Sequence, residues 1–283
     1  MEKRRTVHIN EANKPLVEKI YSIFLGRALL KLIIRPWVSK FVGFFLDKKI
    51  SNCFIPSFIK NNKIDITQFV SREYNSFNDF FTREKLDIEK QIYAETGDFI
   101  SPCDAGLSVY NIDETSTFKI KNVSYSVSSL LENDELAQEY IGGLCLVFRL
   151  SVDDYHRYCY VDDGYKDENI HIKGVLHTVQ PVAVIGEKAF VKNTREYTVL
   201  HTDNFGKVVH IEVGALLVGR IKNHHDAQRI FKGQEKGMFE YGGSTIVLLV
   251  KKDVLNLDNE FYENTNNNLE TKVKYGEVIG RSF

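Results

Sequence analysis

Residues 239–250 have the sequence FEYGGSTIVLLV, in which two glycines and a serine stand directly before an apolar run. A short run of apolar and β-branched residues behind such a turn signal is typical of a buried strand. Segments 106–112, 143–152 and 206–221 contain similar runs, many of them alternating with polar residues. We therefore predict that the chain is mostly β-sheet from about residue 98 onward.

The first 90 residues follow a different pattern. Within residues 14–46, Leu, Ile and Phe recur at helical spacing with Lys and Arg between them, which predicts an amphipathic helix. Pro36 should end or kink it, because proline lacks the amide hydrogen that a helix interior needs. The longest uncharged run, 20–26, is far shorter than the roughly 20 apolar residues that cross a bilayer. We expect the segment to lie in a membrane interface, unless it packs on the core with its basic face in water.

Together these patterns predict an α+β fold. A helical, membrane-associated part (residues 1–90) would pack on a mostly antiparallel β-sheet domain (residues 91–283) that carries the catalytic or binding residues. Hydrophobic residues make up 43% and charged residues 27% of the 283-residue chain, which is typical of a globular protein. In one predicted strand, His210 and Glu212 fall on one face and their apolar neighbours on the other.

Charge is distributed unevenly along the chain. The net charge of −1 argues against general nucleic-acid binding. Residues 1–50, however, hold 11 Lys and Arg against 4 Asp and Glu, which predicts an anionic partner for this segment. A nucleic acid and an anionic membrane surface both meet that description, and the interfacial pattern of residues 14–46 points to the membrane.

The chain has four cysteines: Cys53, Cys103, Cys145 and Cys159. They form no C-x-x-C pair, so we predict neither a zinc site nor a redox motif. Neither a disulfide framework nor a cleavable signal peptide is visible, which predicts a reducing, cytosol-facing location. The side chains of adjacent His224 and His225 diverge on a strand or a helix, so we expect no metal site there.

Three polar clusters could carry chemistry. Asp104 lies in SPCDAG, His156 in DDYHRYCYVDDG and Ser244 in the stretch quoted above. An acid that orients a base beside a hydroxyl is the general arrangement of an activated serine. Chain order alone is weak support, because an aspartate beside proline and glycine commonly caps a turn and a lone histidine is more often structural.

The surroundings of Ser244 distinguish two uses of its hydroxyl. A hydrolase nucleophile elbow has the pattern G-x-S-x-G and leads into a helix, whereas Ser244 leads into a strand and lacks the second glycine. Gly242 and Gly243 permit unusual backbone angles and leave the Gly243 carbonyl open, so the nearest electrophile is the preceding peptide bond. Attack there, an N→O acyl shift and β-elimination would cut the chain. Loss of ammonia would then turn residue 244 into a pyruvoyl group, which serves as an electron sink.

Five motifs, in order, resemble those of the pyruvoyl-dependent phosphatidylserine decarboxylase proenzyme family. They are FNDFFTREKL (77–86), SPCDAG (101–106), VDDYHRY (152–158), NTREYTVLHTDNFGKVVHIEVGALLVGRI (193–221) and KGQEKGMFEYGGSTIVLL (232–249). The last two are long and specific, and together the motifs extend over most of the chain. The short, clostridial-like branch of the family is the most similar.

The resemblance implies self-cleavage between Gly243 and Ser244. Residues 1–243 would form the larger β chain and residues 244–283 the small α chain, with a covalent pyruvoyl cofactor derived from Ser244. It also implies the conversion of phosphatidylserine to phosphatidylethanolamine and CO2 in phospholipid biosynthesis. Because that substrate lies in an anionic membrane, the resemblance implies a peripheral protein on the cytoplasmic side of the cell membrane. Whether it forms a homodimer stays open.

The resemblance further implies that Asp104 and a histidine form a relay that activates Ser244. Many family members have a second histidine where this chain has Cys159. His156 is the histidine that remains in the motif, so we assign it the role of base. A thiol is a poor substitute for an imidazole near neutral pH, and we expect Cys159 to be structural. Many relatives also have Leu where this chain has Gly242.

Two alternatives are consistent with the residues alone. One is a serine hydrolase that acts on an external substrate with an Asp104/His156/Ser244 triad. The other is a non-enzymatic, β-rich membrane-binding module in which GGST is only a turn. Self-cleavage separates both from the decarboxylase, since neither of them would cut its own chain.

Overall fold

A computed structural model of the chain describes residues 4–8, 31, 33–88, 92–120, 123–215, 220–241 and 244–283. Within these ranges the architecture is α+β, with mostly antiparallel sheets and short helices, which confirms the predicted class. The strands are β1 (Thr6–His8), β2 (Asp98–Ile100), β3 (Ala105–Asn111), β4 (Thr117–Ile120), β5 (Val123–Ser126), β6 (Leu144–Leu150), β7 (Arg157–Cys159), β8 (Gly164–Lys166), β9 (Ile170–Ile172), β10 (Arg195–Thr202), β11 (Gly206–Val213), β12 (Ile221–Asn223), β13 (Gln228–Ile230), β14 (Glu235–Phe239), β15 (Ser244–Val250), β16 (Leu255–Leu257), β17 (Leu269–Val273) and β18 (Val278–Ser282).

One ten-stranded sheet forms the centre of the fold. Its strand order is β1-β17-β3-β6-β15-β11-β10-β8-β13, and β9 also pairs with β10. The strand pairs in it are antiparallel. β15 lies between β11 and β6, so the stretch that begins with Ser244 runs through the middle of the sheet.

β15 is buried at all seven of its positions. A strand that is covered on both faces has a continuous apolar run instead of an alternating one, which explains the TIVLLV pattern. Burying each such Ile, Val or Leu side chain stabilises the fold by roughly 1.5–3 kcal/mol. The strand that carries Ser244 is therefore held rigidly from both sides.

Three smaller sheets complete the fold, with the orders β12-β14-β7, β16-β18-β2 and β4-β5. The first of them covers one face of the large sheet. The ring of Tyr158 on β7 lies 5.9 Å from the ring of His210 on β11, and the ammonium of Lys236 on β14 lies 2.5 Å from the carboxylate of Glu212 on β11. The polar face of β11 is thus buried between two sheets.

The helices of the described residues are short. They are α1 (Pro36–Leu46), α2 (Ile55–Asn62), α3 (Phe77–Phe81), α4 (Val127–Leu131), α5 (Asp134–Gln138), α6 (Pro181–Glu187), α7 (Ala189–Lys192) and α8 (Asn259–Asn266), with 3-10 turns at Lys49–Phe54 and Ile66–Gln68. α1 begins at Pro36, where the sequence predicted a break, because the first helical position needs no amide hydrogen. Among the described helices, none has the length and apolar character that crossing a membrane requires.

The N-terminal part differs in detail from the prediction. Of the expected interfacial segment 14–46, residues 31 and 33–46 are described and the rest lies outside the described residues. β1 falls within the part expected to be helical, yet it is a strand at the edge of the large sheet, paired with β17. Residues 63–88 contain mostly turns and irregular chain around α3, and the buried phenylalanines of α3 hold this segment by packing. The boundary near residue 90 stays a prediction.

Candidate active site

Ser244 is the first residue of β15, paired with Leu150 at the end of β6. Its side chain is fully buried, and its hydroxyl has no hydrogen-bond partner among the described residues. A buried hydroxyl without a partner costs about 1–3 kcal/mol, so its retention suggests a use other than stability. Gly242 and Gly243 lie outside the described residues, and so does the predicted scissile bond.

His156 lies directly before β7 and is buried. Its Nδ1 is 2.8 Å from the backbone carbonyl oxygen of Asp154. Because a carbonyl only accepts, Nδ1 must carry the hydrogen, and in the neutral imidazole Nε2 then holds the lone pair. His156 is therefore fixed in the tautomer that a general base needs at Nε2.

Phe81 brings His156 towards the chain that precedes Ser244. The Phe81 ring lies 4.2 Å from the imidazole and 5.3 Å from the ring of Tyr241, measured between centroids. On the other side, the loop that ends at His156 starts from Leu150, the strand partner of Ser244. The predicted base is thus linked through one ring to Tyr241, three residues before the predicted nucleophile.

Asp104 is buried and already hydrogen-bonded. One carboxylate oxygen accepts the backbone N–H of Tyr275 at 2.8 Å, and the other accepts from the Lys85 ammonium at 2.8 Å. Burial acts to raise the pKa of Asp104, but the charges of Lys85 and Lys274 and the hydrogen bonds outweigh it, so the pKa lies below its usual value. Asp104 is an ionised carboxylate at neutral pH.

The structure does not place Asp104 in a direct hydrogen bond with His156. Within the described chain, the carboxylate of Asp104 meets Lys85 and Tyr275, and the imidazole Nδ1 meets the carbonyl of Asp154. The task of setting the tautomer, which the sequence assigned to Asp104, is thus performed by a backbone carbonyl. Every residue type has a backbone carbonyl, so the sequence contains no signal for this acceptor.

Lys85 is the partner of Asp104 that the sequence analysis missed. Its ammonium also lies 4.7 Å from the centroid of the Tyr155 ring, beside His156. Lys85 and Phe81 both belong to the FNDFFTREKL motif, and they contact Asp104 and His156 respectively. The sequence analysis used this motif only for the family resemblance, so it assigned neither residue to the site.

Cys159, in the position of the second family histidine, is buried on β7. Its backbone N–H donates to the Pro102 carbonyl at 2.9 Å, so it lies against the loop that carries Asp104. Burial raises the pKa of its thiol to about 12. The thiol is therefore protonated at neutral pH and cannot act as a base, in agreement with the structural role expected for it.

His224 and His225 have separate partners. The Nε2 atom of His224 lies 2.7 Å from the Glu235 carboxylate, whereas the Nδ1 atom of His225 lies 3.1 Å from the hydroxyl of Tyr160. Over the described ranges, no cluster of three or more His, Cys, Asp or Glu side chains could hold a metal ion.

The chain is similar to known proteins along most of its length. The family model described as "Phosphatidylserine decarboxylase" matches residues 77–281. The chain is 48% identical over 265 residues to "Phosphatidylserine decarboxylase proenzyme 2" of Clostridium acetobutylicum, covering 93% of this chain and 90% of the relative. It is 38% identical to the proenzyme of Clostridium botulinum strain Alaska E43, covering 96% and 94% of the two chains, and 39% identical to that of Clostridium novyi, covering 92% and 90%. These relatives give no support to a serine hydrolase. The chain belongs to the phosphatidylserine decarboxylase family.

Proposed function

We propose that the protein is a self-processing, pyruvoyl-dependent decarboxylase that converts phosphatidylserine to phosphatidylethanolamine and CO2. The observation that carries this proposal is the buried hydroxyl of Ser244 at the start of the central strand, which has no hydrogen-bond partner among the described residues. Relatives named as proenzymes, which share the chain almost from end to end, support it. A hydroxyl held in this way inside the protein has its own backbone within reach and little access to an external ester.

Cleavage begins with Ser244 as nucleophile and His156 as base. The Ser244 oxygen attacks the carbonyl carbon of Gly243 while His156 Nε2 takes the hydroxyl proton, which then passes to the departing nitrogen. This step produces an ester and a free amine on residue 244. Loss of the α-proton breaks the ester C–O bond, leaving a carboxylate on Gly243 and dehydroalanine at position 244. Tautomerisation and hydrolysis release ammonia.

We infer that Asp104 supports this reaction as a positioning residue. Its carboxylate is buried and held by Lys85 and by the Tyr275 amide. The Lys85 ammonium lies 4.7 Å from the ring centroid of Tyr155, the residue before His156. The ion pair of Asp104 and Lys85 thus helps to fix the loop that carries the base.

The surroundings of residue 244 fit a pyruvoyl group. The elimination removes the Ser244 oxygen together with the Gly243 carboxylate. No described hydrogen bond holds that oxygen, so its departure breaks no contact among the described residues and leaves the methyl group of a pyruvoyl in a buried position. When formed, a pyruvoyl carbonyl supplies the electron sink for loss of CO2. The chain contributes a buried site that disfavours the charged carboxylate of the substrate, and His156 is the candidate to return a proton to the substrate carbon.

The two pieces would stay together after cleavage. The small chain, 244–283, contributes β15 between β11 and β6, and β17 between β1 and β3. Arg4 of the large chain adds ion pairs to Asp258 at 2.9 Å and Glu277 at 2.6 Å. Removing the small chain would open the large sheet at its centre.

The function is tested on the purified protein in detergent micelles that contain phosphatidylserine. We expect release of CO2 and formation of phosphatidylethanolamine, together with two polypeptides on a denaturing gel. The smaller polypeptide should lack a free N-terminal amine. A stable single species of 32.6 kDa with an unmodified Ser244 would contradict the proposal.

We further propose that α1 binds the surface of an anionic membrane on its cytoplasmic side. Four aromatic side chains of α1, each more than half exposed, form its outer face: Trp37, Phe41, Phe44 and Phe45. Lys40 is exposed on the same helix, and Lys48 follows it with its ammonium 4.3 Å from the Phe44 ring. Aromatic rings beside lysines are the pattern of a helix that lies among lipid headgroups. Such a position would give the enzyme access to a lipid substrate.

Replacing Phe41 and Phe44 with serine should weaken binding to phosphatidylserine vesicles by roughly 10- to 100-fold, because each lost ring removes apolar area that lipid would bury. Vesicle co-sedimentation measures the effect. Phe231→Ser is the matched control, since Phe231 is 58% exposed, close to the 60% of Phe41, but lies between β13 and β14. Equal loss in the control, or unchanged binding in the double variant, would rule out α1 as the membrane contact.

A further inference from the structure

Three polar contacts, made by Asn78 and Arg220, hold the segment that leads to Ser244. The backbone N–H of Tyr241 donates to the side-chain oxygen of Asn78 at 3.0 Å. The Glu240 carboxylate lies 2.9 Å from Nη1 of Arg220, and the Glu240 N–H donates to the Arg220 carbonyl at 3.2 Å. Residues 240 and 241 are therefore both fixed by side chains from distant parts of the chain.

Asn78 and Arg220 both contact Asp47, the residue that caps the C-terminal end of α1. One carboxylate oxygen of Asp47 accepts from the Asn78 amide at 3.0 Å, and the other lies 2.9 Å from Arg220 Nη1. Since Asp47 can only accept and the Tyr241 N–H can only donate, the orientation of the Asn78 amide is determined by its two partners. The result is a two-armed bridge, Asp47–Asn78–Tyr241 and Asp47–Arg220–Glu240.

The environment of the bridge gives the two arms different strengths. Asn78 is 8% exposed, so water competes little for its hydrogen bonds. The side chain of Arg220 is 45% exposed, and its ion pairs are weakened by solvent. We therefore expect the Asn78 arm to carry more of the restraint than the Arg220 arm.

We propose that Asn78 and Arg220 are positioning residues for self-cleavage, which hold residues 240–241 so that the peptide bond before Ser244 is presented to its hydroxyl. The inference rests on the proposed function. Intramolecular attack depends steeply on geometry, and a misplacement of about 1 Å can cost roughly 10²-fold in rate. After the bond is cut, residues 240–241 belong to a free chain end and no longer restrain residue 244. The bridge thus acts on cleavage and leaves decarboxylation almost unchanged.

The test follows cleavage of the full chain during cell-free synthesis. Asn78→Asp keeps the acceptor for the Tyr241 N–H but sets a second carboxylate against Asp47, and we expect cleavage to slow by roughly 10- to 100-fold. Adding Asp47→Asn to the same chain restores a donor opposite the new carboxylate. The rate of the double variant should return to within about fivefold of wild type, because contacting residues couple non-additively.

The second arm is tested by Arg220→Met, with Arg229→Met as the matched control. Arg229 also pairs with a carboxylate, that of Asp203 at 2.6 Å, but it is exposed on β13, an edge strand of the large sheet. We expect slower cleavage in the first variant and a wild-type rate in the second. The fully cleaved fraction of each variant should decarboxylate with a kcat within about twofold of wild type.

The outcomes separate the bridge from the proposed function. Wild-type cleavage rates in both Asn78→Asp and Arg220→Met would overturn the bridge while leaving the function intact. Equal losses in cleavage and in kcat, with a lower Tm, would show that the residues serve only folding. If the wild-type chain itself stayed uncut, the proposed function would be wrong, and the proposal for the bridge, which rests on it, would be wrong as well.

Discussion

Replacing Ser244 with alanine is expected to leave a single, uncut chain of 32.6 kDa with no decarboxylase activity. The hydroxyl oxygen is the nucleophile of the N→O shift and the leaving group of the β-elimination. Without this oxygen, neither the N→O shift nor the β-elimination can take place, and alanine cannot become a pyruvoyl group. Intact-mass analysis and CO2 release measure the two losses together.

Thr245→Val is the matched control for this substitution. Thr245 is also fully buried in β15, and its hydroxyl likewise has no partner among the described residues, but successive strand residues point to opposite faces. Valine preserves the shape, so we expect normal cleavage. Two pieces from Ser244→Ala would refute the mechanism. If Thr245→Val also lost cleavage, the loss in Ser244→Ala would not be specific to Ser244, because removing another buried hydroxyl of the strand would have the same effect.

Replacing His156 with alanine is expected to slow cleavage by about 10²- to 10⁴-fold, the usual contribution of a positioned general base. The serine hydroxyl keeps its proton near neutral pH unless a base removes it during attack. Densitometry of the uncut chain over time measures the rate. A thermal unfolding curve shows whether the variant is folded, which matters because His156 is 1% exposed.

Added imidazole separates a chemical role of His156 from a structural one. The alanine variant leaves space beside Phe81, whose ring lies 4.2 Å from the native imidazole, and a free imidazole that enters it can restore the base. We expect partial recovery of cleavage. Normal cleavage with lost decarboxylation would confine His156 to the second step, and normal rates of both steps would assign the base to another residue.

Much of the β-sheet part could be predicted, because its strands depend on the chemistry of residues that are neighbours in the sequence. The run after Ser244 is short, β-branched and apolar without interruption, which is typical of a strand covered on both faces. Pro36 predicted a helix boundary for an equally local reason, since proline lacks an amide hydrogen. β1 was missed, because three residues at a sheet edge carry almost no pattern and are ordered by their partner, β17.

The partners of the site residues could not be predicted in the same way. Asp104 was placed with a histidine, yet its carboxylate meets Lys85 and the amide of Tyr275. These two residues come from opposite ends of the chain, and many cations could have balanced one carboxylate equally well. The bridge from Asp47 to Tyr241 through Asn78 joins three separate segments and was invisible for the same reason.

The sequence by itself determined the α+β class, the buried strand behind Ser244 and the motifs that identify the family, because each depends on the chemistry of neighbouring residues. The tertiary structure decided that the polar face of β11 is buried under a second sheet, that the carbonyl of Asp154 orients His156, and that the end of α1 is linked to the residues before Ser244. Contacts between distant segments are selected by the packing of the whole core, where one arrangement fills space and satisfies the buried polar groups together.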